Sequence, residues 1–419
     1  MAHRKYRNRL LTRRAFMASA AATAGLPLAT PWIVKARGET PIKVGVLETI
    51  TGTNGAFGRN EVAGFELARD EINAKGGILG RPIELLVEDA ANDVGTGVQK
   101  TEKLVSRDKV DLMVGDVNSA VALAAMQVSN RNGILHFVCG AHSDPISGKD
   151  CKWNVFHVCN TTTMEANAIA DVIAKKFGTK WYFITPDYTF GHALQKGFEA
   201  RLKKFNGTVL GSDLVPIGTA EYSAYLIKAR AAAPDVLIVL LSGQDMVNCM
   251  KQAVQFGLEK KFAIAGGQQE LENLLAMPPE ARIGWWCFEW YWKVPGIEGL
   301  DEFVEKVKKR TGHVPTAHHW FAYAGLYTYA LNANQQKTID AVRLAKAIEG
   351  YTLPPEIALQ SRPLSYRAGD HQLMTQLYIG TAKRGDENPE DLFEVSETVL
   401  GDQVAAPLGE TGCKIAFPT

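Results

Sequence analysis

The chain has 419 residues, with 46 Lys and Arg against 45 Asp and Glu and a formal net charge of +1. Hydrophobic residues make up 46% and charged residues 22%, an ordinary globular balance that excludes disordered, collagen-like and low-complexity classes. The near-neutral charge argues against a nucleic-acid partner, and the length predicts two domains, each with its own core.

Residues 1–36 read as an export signal rather than as part of the fold. Arg4, Lys5, Arg7, Arg9, Arg13 and Arg14 form a basic n-region, followed by a mild, Ala-rich apolar stretch. Thr12-Arg13-Arg14-Ala15-Phe16-Met17 resembles the twin-arginine export motif. Val34-Lys35-Ala36 suits signal peptidase, so the mature chain is expected to start at Arg37. The uncharged run 15–34 carries two Pro and is not read as a membrane span. Export to an oxidising compartment favours disulfides. None of the six Cys forms a C-x-x-C pair, so redox catalysis and zinc binding gain little support. Cys151 and Cys413 lie in polar, loop-like surroundings and are expected to pair. Cys139, Cys159 and Cys287 lie in apolar runs and are expected to pack as small hydrophobes.

Short Val/Ile/Leu-rich runs follow at 42–47, 83–88, 110–115, 134–138, 181–185, 236–241 and 262–265. Such continuous apolar runs suit parallel strands buried on both faces. Helix-like segments separate them at 61–74, 96–107, 120–130, 163–176, 192–205, 222–232 and 245–256. The chain then turns helical at 300–310, 319–332 and 339–348, and returns to a strand at 373–379. This alternation predicts an α/β fold of two doubly wound lobes. Ligands in such folds sit beyond the carboxyl ends of the strands. That rule selects the loops 49–58, 116–120, 139–144, 186–191, 242–245 and 266–270. The first is Gly-rich with G-x-x-G-x-x-G spacing, which is not the dinucleotide fingerprint. The chain has no phosphate-binding P-loop motif, no H-E-x-x-H and no G-x-S-x-G.

Arg69-Asp70-Glu71-Ile72-Asn73-Ala74-Lys75-Gly76-Gly77-Ile78-Leu79-Gly80 resembles the hallmark of type I periplasmic solute-binding proteins. The subgroup is the leucine-binding-protein-like family that serves ABC importers of branched-chain amino acids and amides. Further matches fall at 115–119, at Asp187-Tyr188 with Gly191, at Gln255-Phe256-Gly257 and at Tyr323-Ala324-Gly325. The resemblance implies two Rossmann-like lobes joined by three crossovers, near 156–161, 285–293 and 362–375. One lobe would comprise 41–157 and 293–363, the other 161–285 and 375–419. It also implies a monomer without cofactor, whose partners are a small-molecule solute and the transmembrane subunits of an ABC permease.

The same resemblance carries site residues across. Ser119 matches a Ser that holds a ligand carboxylate, and Asn118 is its neighbour. Gly140 and Ala141 precede His142 where a small residue and a Thr are usual. Gln244 falls at a position often aromatic, Gln268 where amino-acid binders hold a Glu, and His318 where an apolar aromatic is common. Gln268 cannot neutralise a ligand ammonium, although Glu270, Asp245 or Glu289 could. His142 and His318 bring two donors suited to an anion. The expected solute is thus an amino acid, an amide or a small carboxylate, aromatic ones included. Tyr188 is a further candidate.

Residues 285–292 hold six aromatics, including four of the eight Trp. Read as one strand, Trp286, Phe288, Trp290 and Trp292 share a face, and Trp290, or alternatively Tyr291, is a candidate ligand contact. No metal site is expected, since His313, His318 and His319 lack a known ligand spacing. A transport receptor is the leading reading. A periplasmic hydrolase and a ligand sensor are the alternatives.

Overall fold

The computed structural model describes residues 40–418. The export signal expected over 1–36 lies outside them. The first sheet contains β1 (Ile42–Glu48), β2 (Ile83–Asp89), β3 (Leu112–Gly115), β4 (Leu135–Val138) and β5 (Val155–His157), in the order β2-β1-β3-β4-β5. All four pairings are parallel. Helices α1 (Gly55–Ala74), α2 (Val94–Glu102) and α3 (Ser119–Arg131) connect them. The central strands β3 and β4 are buried along their whole length, whereas the edge strand β2 keeps Glu84 exposed. That contrast is why the continuous Val/Ile/Leu pattern worked for the interior strands.

The second sheet is larger. Its strands are β6 (Lys180–Pro186), β7 (Thr208–Val215), β8 (Val236–Val239), β9 (Ala263–Gln268), β10 (Trp285–Phe288), β11 (Gln376–Ala382) and β12 (Phe393–Leu400). Their order is β12-β11-β10-β9-β8-β6-β7, antiparallel only at β10–β11 and β11–β12. Helices α4 (Thr162–Phe177), α5 (Thr189–Lys204), α6 (Ser223–Ala232), α7 (Gly243–Gln255) and α8 (Leu271–Ala276) accompany it. After β10 the chain returns to the first lobe as α9 (Leu300–Thr311), α10 (Ala317–Gln336) and α11 (Ala341–Ile348), then comes back for β11. The fold is therefore two α/β lobes joined by three crossovers.

Helix α10 is buried on nearly all sides, as an all-round apolar helix must be. Its start is fixed by a capping box between Thr316 and His319. His319, rather than the neighbouring His318, therefore does the capping. Helix α1 lies directly against α10 because Gly64 has no Cβ to meet the His319 carbonyl.

The aromatic stretch does not form one strand. β10 ends at Phe288, and the chain then changes lobe. Trp286 and Phe288 enter the core of the second lobe, while Trp290 enters that of the first. The expected shared face and the ligand role of Trp290 are both corrected. Its indole Nε1 donates to the Leu359 carbonyl at 3.0 Å and its ring stacks on Trp320.

Cys151 and Cys413 are disulfide-bonded across 262 residues of sequence, and Cys139, Cys159, Cys249 and Cys287 are buried thiols. The bridge ties the C-terminal tail to the first lobe, where Phe417 lies against Trp153. Cys413→Ser is expected to cost about 2–4 kcal/mol of stability. A thermal melt should show a lower midpoint, and limited proteolysis should clip the tail first.

Candidate functional site

The carboxyl ends of both sheets meet across one cleft. From the first lobe come Asn54 and Phe57 at the start of α1, Val117 after β3, and Gly140 and His142 after β4. The second lobe adds Tyr188 and Phe190 after β6, Ser242 after β8 and Gln268 at the end of β9. His318, in the first turn of α10, completes the lining. Each loop chosen by the strand-end rule contributes at least one residue. The space enclosed is about 10 Å³, roughly one water. It is small because the lobes touch. Asn60 Nδ2 donates to Glu272 Oε1 at 2.8 Å, Gln244 N donates to the Thr53 carbonyl at 3.0 Å, and Ser242 Oγ donates to Asn54 Oδ1 at 3.3 Å. A larger cavity of about 580 Å³ is lined by the 144–149 loop, α5 and the tail, away from the strand ends. In it Arg367 is paired with Asp370, and Asp144 is bound to Thr163.

Gly140, His142, Tyr188, Gln268 and His318 are thus brought together. Gly140 must lack a side chain, because a Cβ there would run into Glu61 Oε1. The other expected ligand contacts are used elsewhere. Asn118 caps α3, its Oδ1 accepting from the Ala120 and Val121 amides. Ser119 Oγ accepts from the Ser143 amide at 3.3 Å, which joins α3 to the β4 loop. Ala141 is buried, and its carbonyl accepts from His157 Nε2 at 2.6 Å. The Gln244 side chain donates to Asn248 and lines a separate depression at the lobe seam.

Buried charge dominates the site. The imidazole Nε2 of His142 lies 2.7 Å from Glu289 Oε2. His318 Nδ1 lies 2.7 Å from Glu61 Oε1, its Nε2 is 3.5 Å from Glu270 Oε1, and Phe57 stacks on its ring at 4.6 Å. Gln268 Nε2 donates to Glu270 and also sits 3.0 Å from His142 Nε2. Behind these lie Glu48 and Asp116 in the first lobe and Glu165 on α4, all fully buried. Both carboxylate oxygens of Glu48 and of Glu165 have no hydrogen-bond partner. Two histidines therefore face these six carboxyl groups, and the buried Glu272 adds to the field at His318.

The titration behaviour follows from that imbalance. Burial, reinforced by Glu61, pushes the Glu48 carboxyl well above its ordinary range. Burial, with Glu289 and Glu270 adding to it, does the same to Glu165. Burial also raises Glu289 despite its contact with His142. Burial opposes ionisation of the His318–Glu270 pair, but their mutual attraction outweighs it. His318 is held well above the ordinary histidine value and Glu270 below the ordinary carboxylate value. Asp116 is pushed up to about 7 by burial, against hydrogen bonds from the Asn118 and Val117 amides and with Glu61 adding to the rise.

The sequence reading missed Asn54, Phe57, Val117, Phe190 and Ser242, although all lie in or beside the loops it selected. It also missed the buried carboxylates Glu48, Glu61, Asp116 and Glu165. A lone acid inside an amphipathic helix or at a strand end has no local signature of burial. Of the three acids weighed as charge partners, Glu270 and Glu289 reach the cleft. Asp245 instead accepts from the Gly218 amide at 3.0 Å.

Two doubly wound lobes closing on a strand-end cleft define a bilobal solute-binding protein. A model of the family described as periplasmic binding protein matches residues 41–387. The chain belongs to that family. It is 28% identical over 327 residues to "Leu/Ile/Val-binding protein homolog 7" of Brucella suis, covering 73% of this chain and 80% of that one. It is also similar to the crystal structure of an amino acid ABC transporter substrate-binding protein from Pseudomonas fluorescens. There the TM-score is 0.80 and the identity 25%, over 90% of this chain and 100% of the other. A solute-binding protein from Rhodopseudomonas palustris, solved with 3,4-dihydroxybenzoic acid, shares the fold. Its TM-score is 0.78 at 21% identity, over 87% and 98% of the two chains.

Asp116 yields a pH test. Its folded-state value of about 7 exceeds the unfolded one of about 3.9. Between those values the folded protein holds the extra proton, so this contribution to stability is lost as pH rises toward and through 7. His136 and His157, lowered by burial to about 4 and about 3, act in the opposite direction below pH 6.5. The expected result is a difference in melting temperature, Asp116→Asn minus wild type, that grows from pH 5 to pH 8. A constant difference would remove Asp116 as the cause.

Proposed function

We propose that the protein is the exported receptor of an ABC importer and that its solute carries a protonated amine, as an amino acid does. The supporting observation is the polarity of the cleft. His142 and His318, expected to receive an anion, are each matched by a buried carboxylate at 2.7 Å. Acceptor oxygens remain in excess, and burial pushes Glu289 and Glu165 up, so each is costly to ionise until a cation or a donor set compensates it. An ammonium between Glu270 and Glu289 would supply that compensation. Phe57, Phe190 and Tyr188 offer an apolar wall for the rest of a small side chain. The names of the Brucella relatives and of the Pseudomonas structure support an amino acid. The dihydroxybenzoic acid complex supports the aromatic carboxylate that the sequence also allowed, but the carboxylate-rich cleft of this chain weighs against it.

In this reading the leader over 1–36 directs the chain to the periplasm. The lobes rotate about three segments near 156–161, 285–293 and 362–375. The first lobe comprises 41–157 and 293–363 and carries the tail that the Cys151–Cys413 bridge pins to it, the second comprises 161–285 and 375 to about 404, and the closed form docks as a monomer on its permease. Only binding and release occur, so the solute leaves unchanged.

A thermal-shift screen of amino acids, amines, amides and aromatic acids tests the solute class, because a tight ligand raises the melting temperature by mass action. Amine-bearing solutes should give the shifts. Glu270→Gln should weaken the best of them by about 1.5–3 kcal/mol, the usual loss for a charged hydrogen bond. Tight binding of benzoate that is indifferent to Glu270→Gln would overturn the amine assignment.

A further inference from the structure

We infer that His142, Glu270 and Glu289 also form a binding site for a divalent first-row transition-metal ion. The inference rests on the preceding reading only in taking the cleft as the place where a cation is received. His142, Glu270 and Glu289 are all buried, and each offers one ligand atom, the three lying within 4.8 Å of one another. Atoms bound at about 2.1 Å to one such ion in tetrahedral geometry lie about 3.4 Å apart. The widest pair therefore needs to close by up to about 1.4 Å, a side-chain adjustment.

Two observations point to a ligand here rather than to a finished ion-pair network. The first is a hydrogen-bond conflict at His142 Nε2. Glu289 Oε2, at 2.7 Å, and Gln268 Nε2, at 3.0 Å, compete for it: an ionised Glu289 needs a proton on that nitrogen, and a protonated one uses the single lone pair that the Gln268 amide also needs. Turning the Gln268 amide over would relieve His142 but bring its oxygen against Glu270, to which Gln268 Nε2 now donates. A metal ion bound to the imidazole lone pair removes the conflict, because the two carboxylates then face the ion and no proton is needed. The second observation is unused buried acceptor capacity. Glu289 Oε1 has no partner, and neither oxygen of Glu165 has one. Glu165 is directed at this place, since a Cβ on Gly267 would lie 3.2 Å from its Oε2, one residue before Gln268. One imidazole with carboxylates is a donor set for ions from Mn²⁺ to Zn²⁺ rather than for Mg²⁺ or Ca²⁺, which prefer oxygen alone.

The experiment uses the exported protein, stripped with EDTA and dialysed. Zn²⁺ and Mn²⁺ are titrated by calorimetry, and bound Mn²⁺ is examined by electron spin-echo spectroscopy for nitrogen coupling. One equivalent of metal is expected, with an imidazole nitrogen signal. His142→Ala and Glu289→Gln should each weaken binding at least tenfold. His192→Gln, at the exposed His192–Asp187 pair, should change nothing. The inference is overturned if the stripped wild type takes up no metal, if the Mn²⁺ signal lacks nitrogen, or if His192→Gln alone abolishes binding. Should either cleft variant fail to fold, the wild-type nitrogen signal still decides. The same stripped protein is titrated with amino acids. Amino-acid binding without metal uptake defeats this inference and leaves the receptor reading standing, and the reverse result does the opposite.

Discussion

Six buried carboxyl groups facing two imidazoles is the constraint on which the site depends. Glu48, Glu61 and Asp116 come from the first lobe, and Glu165, Glu270 and Glu289 from the second lobe or the crossover after β10. Burial takes these acids out of water, so their charge must be cancelled by pairing or by protonation. His142 and His318 do part of this, reaching from first-lobe elements to Glu289 and Glu270. Protonation takes up much of the remainder, since burial pushes the Glu48, Glu165 and Glu289 carboxyls upward.

The scaffold that holds these groups is rigid where it must be. Parallel strands end together, so loops that are far apart in sequence converge on one line. The close approach of α1 to α10 at Gly64 brings Glu61 and His318 face to face across that helix pair. At Gly140 a side chain would occupy the space of the Glu61 carboxylate. Small residues here are geometric requirements of the charge pairs rather than features of a flexible loop.

Particular elements mark how much was legible in the chain. The interior strands and the helices of both lobes stood out because burial on both faces leaves unbroken Val/Ile/Leu runs. The edge strand β7 did not, since most of its residues are exposed or half-exposed and Gly211, Ser212 and Asp213 interrupt it. The antiparallel β12 is likewise mostly exposed or half-exposed, whereas β5 is buried throughout but, at three residues, too short to leave a run. The last strand began three residues later than its apolar run suggested, because Leu373 belongs to the crossover, where its amide bonds to the His157 carbonyl. At the site, His142, His318, Tyr188, Gly140 and Gln268 were reached through loops and family positions. Ser119, Asn118, Ala141, Gln244 and Trp290 were not, because a residue type does not say which neighbour it will satisfy.

The amino-acid sequence by itself determined the two-lobed α/β architecture and pointed to the strand ends as the place of the cleft, through periodicity, punctuation and family motifs. The loop-like surroundings of Cys151 and Cys413 made them the expected pair, which the structure bears out. Only the tertiary structure showed which groups the cleft histidines meet. His142 looked like a donor to an anion until Glu289, 147 positions away, was found against it. His318 likewise meets Glu61 across 257 positions. Whether a buried histidine serves a ligand or a carboxylate depends on which side chains folding brings within about 3 Å of it.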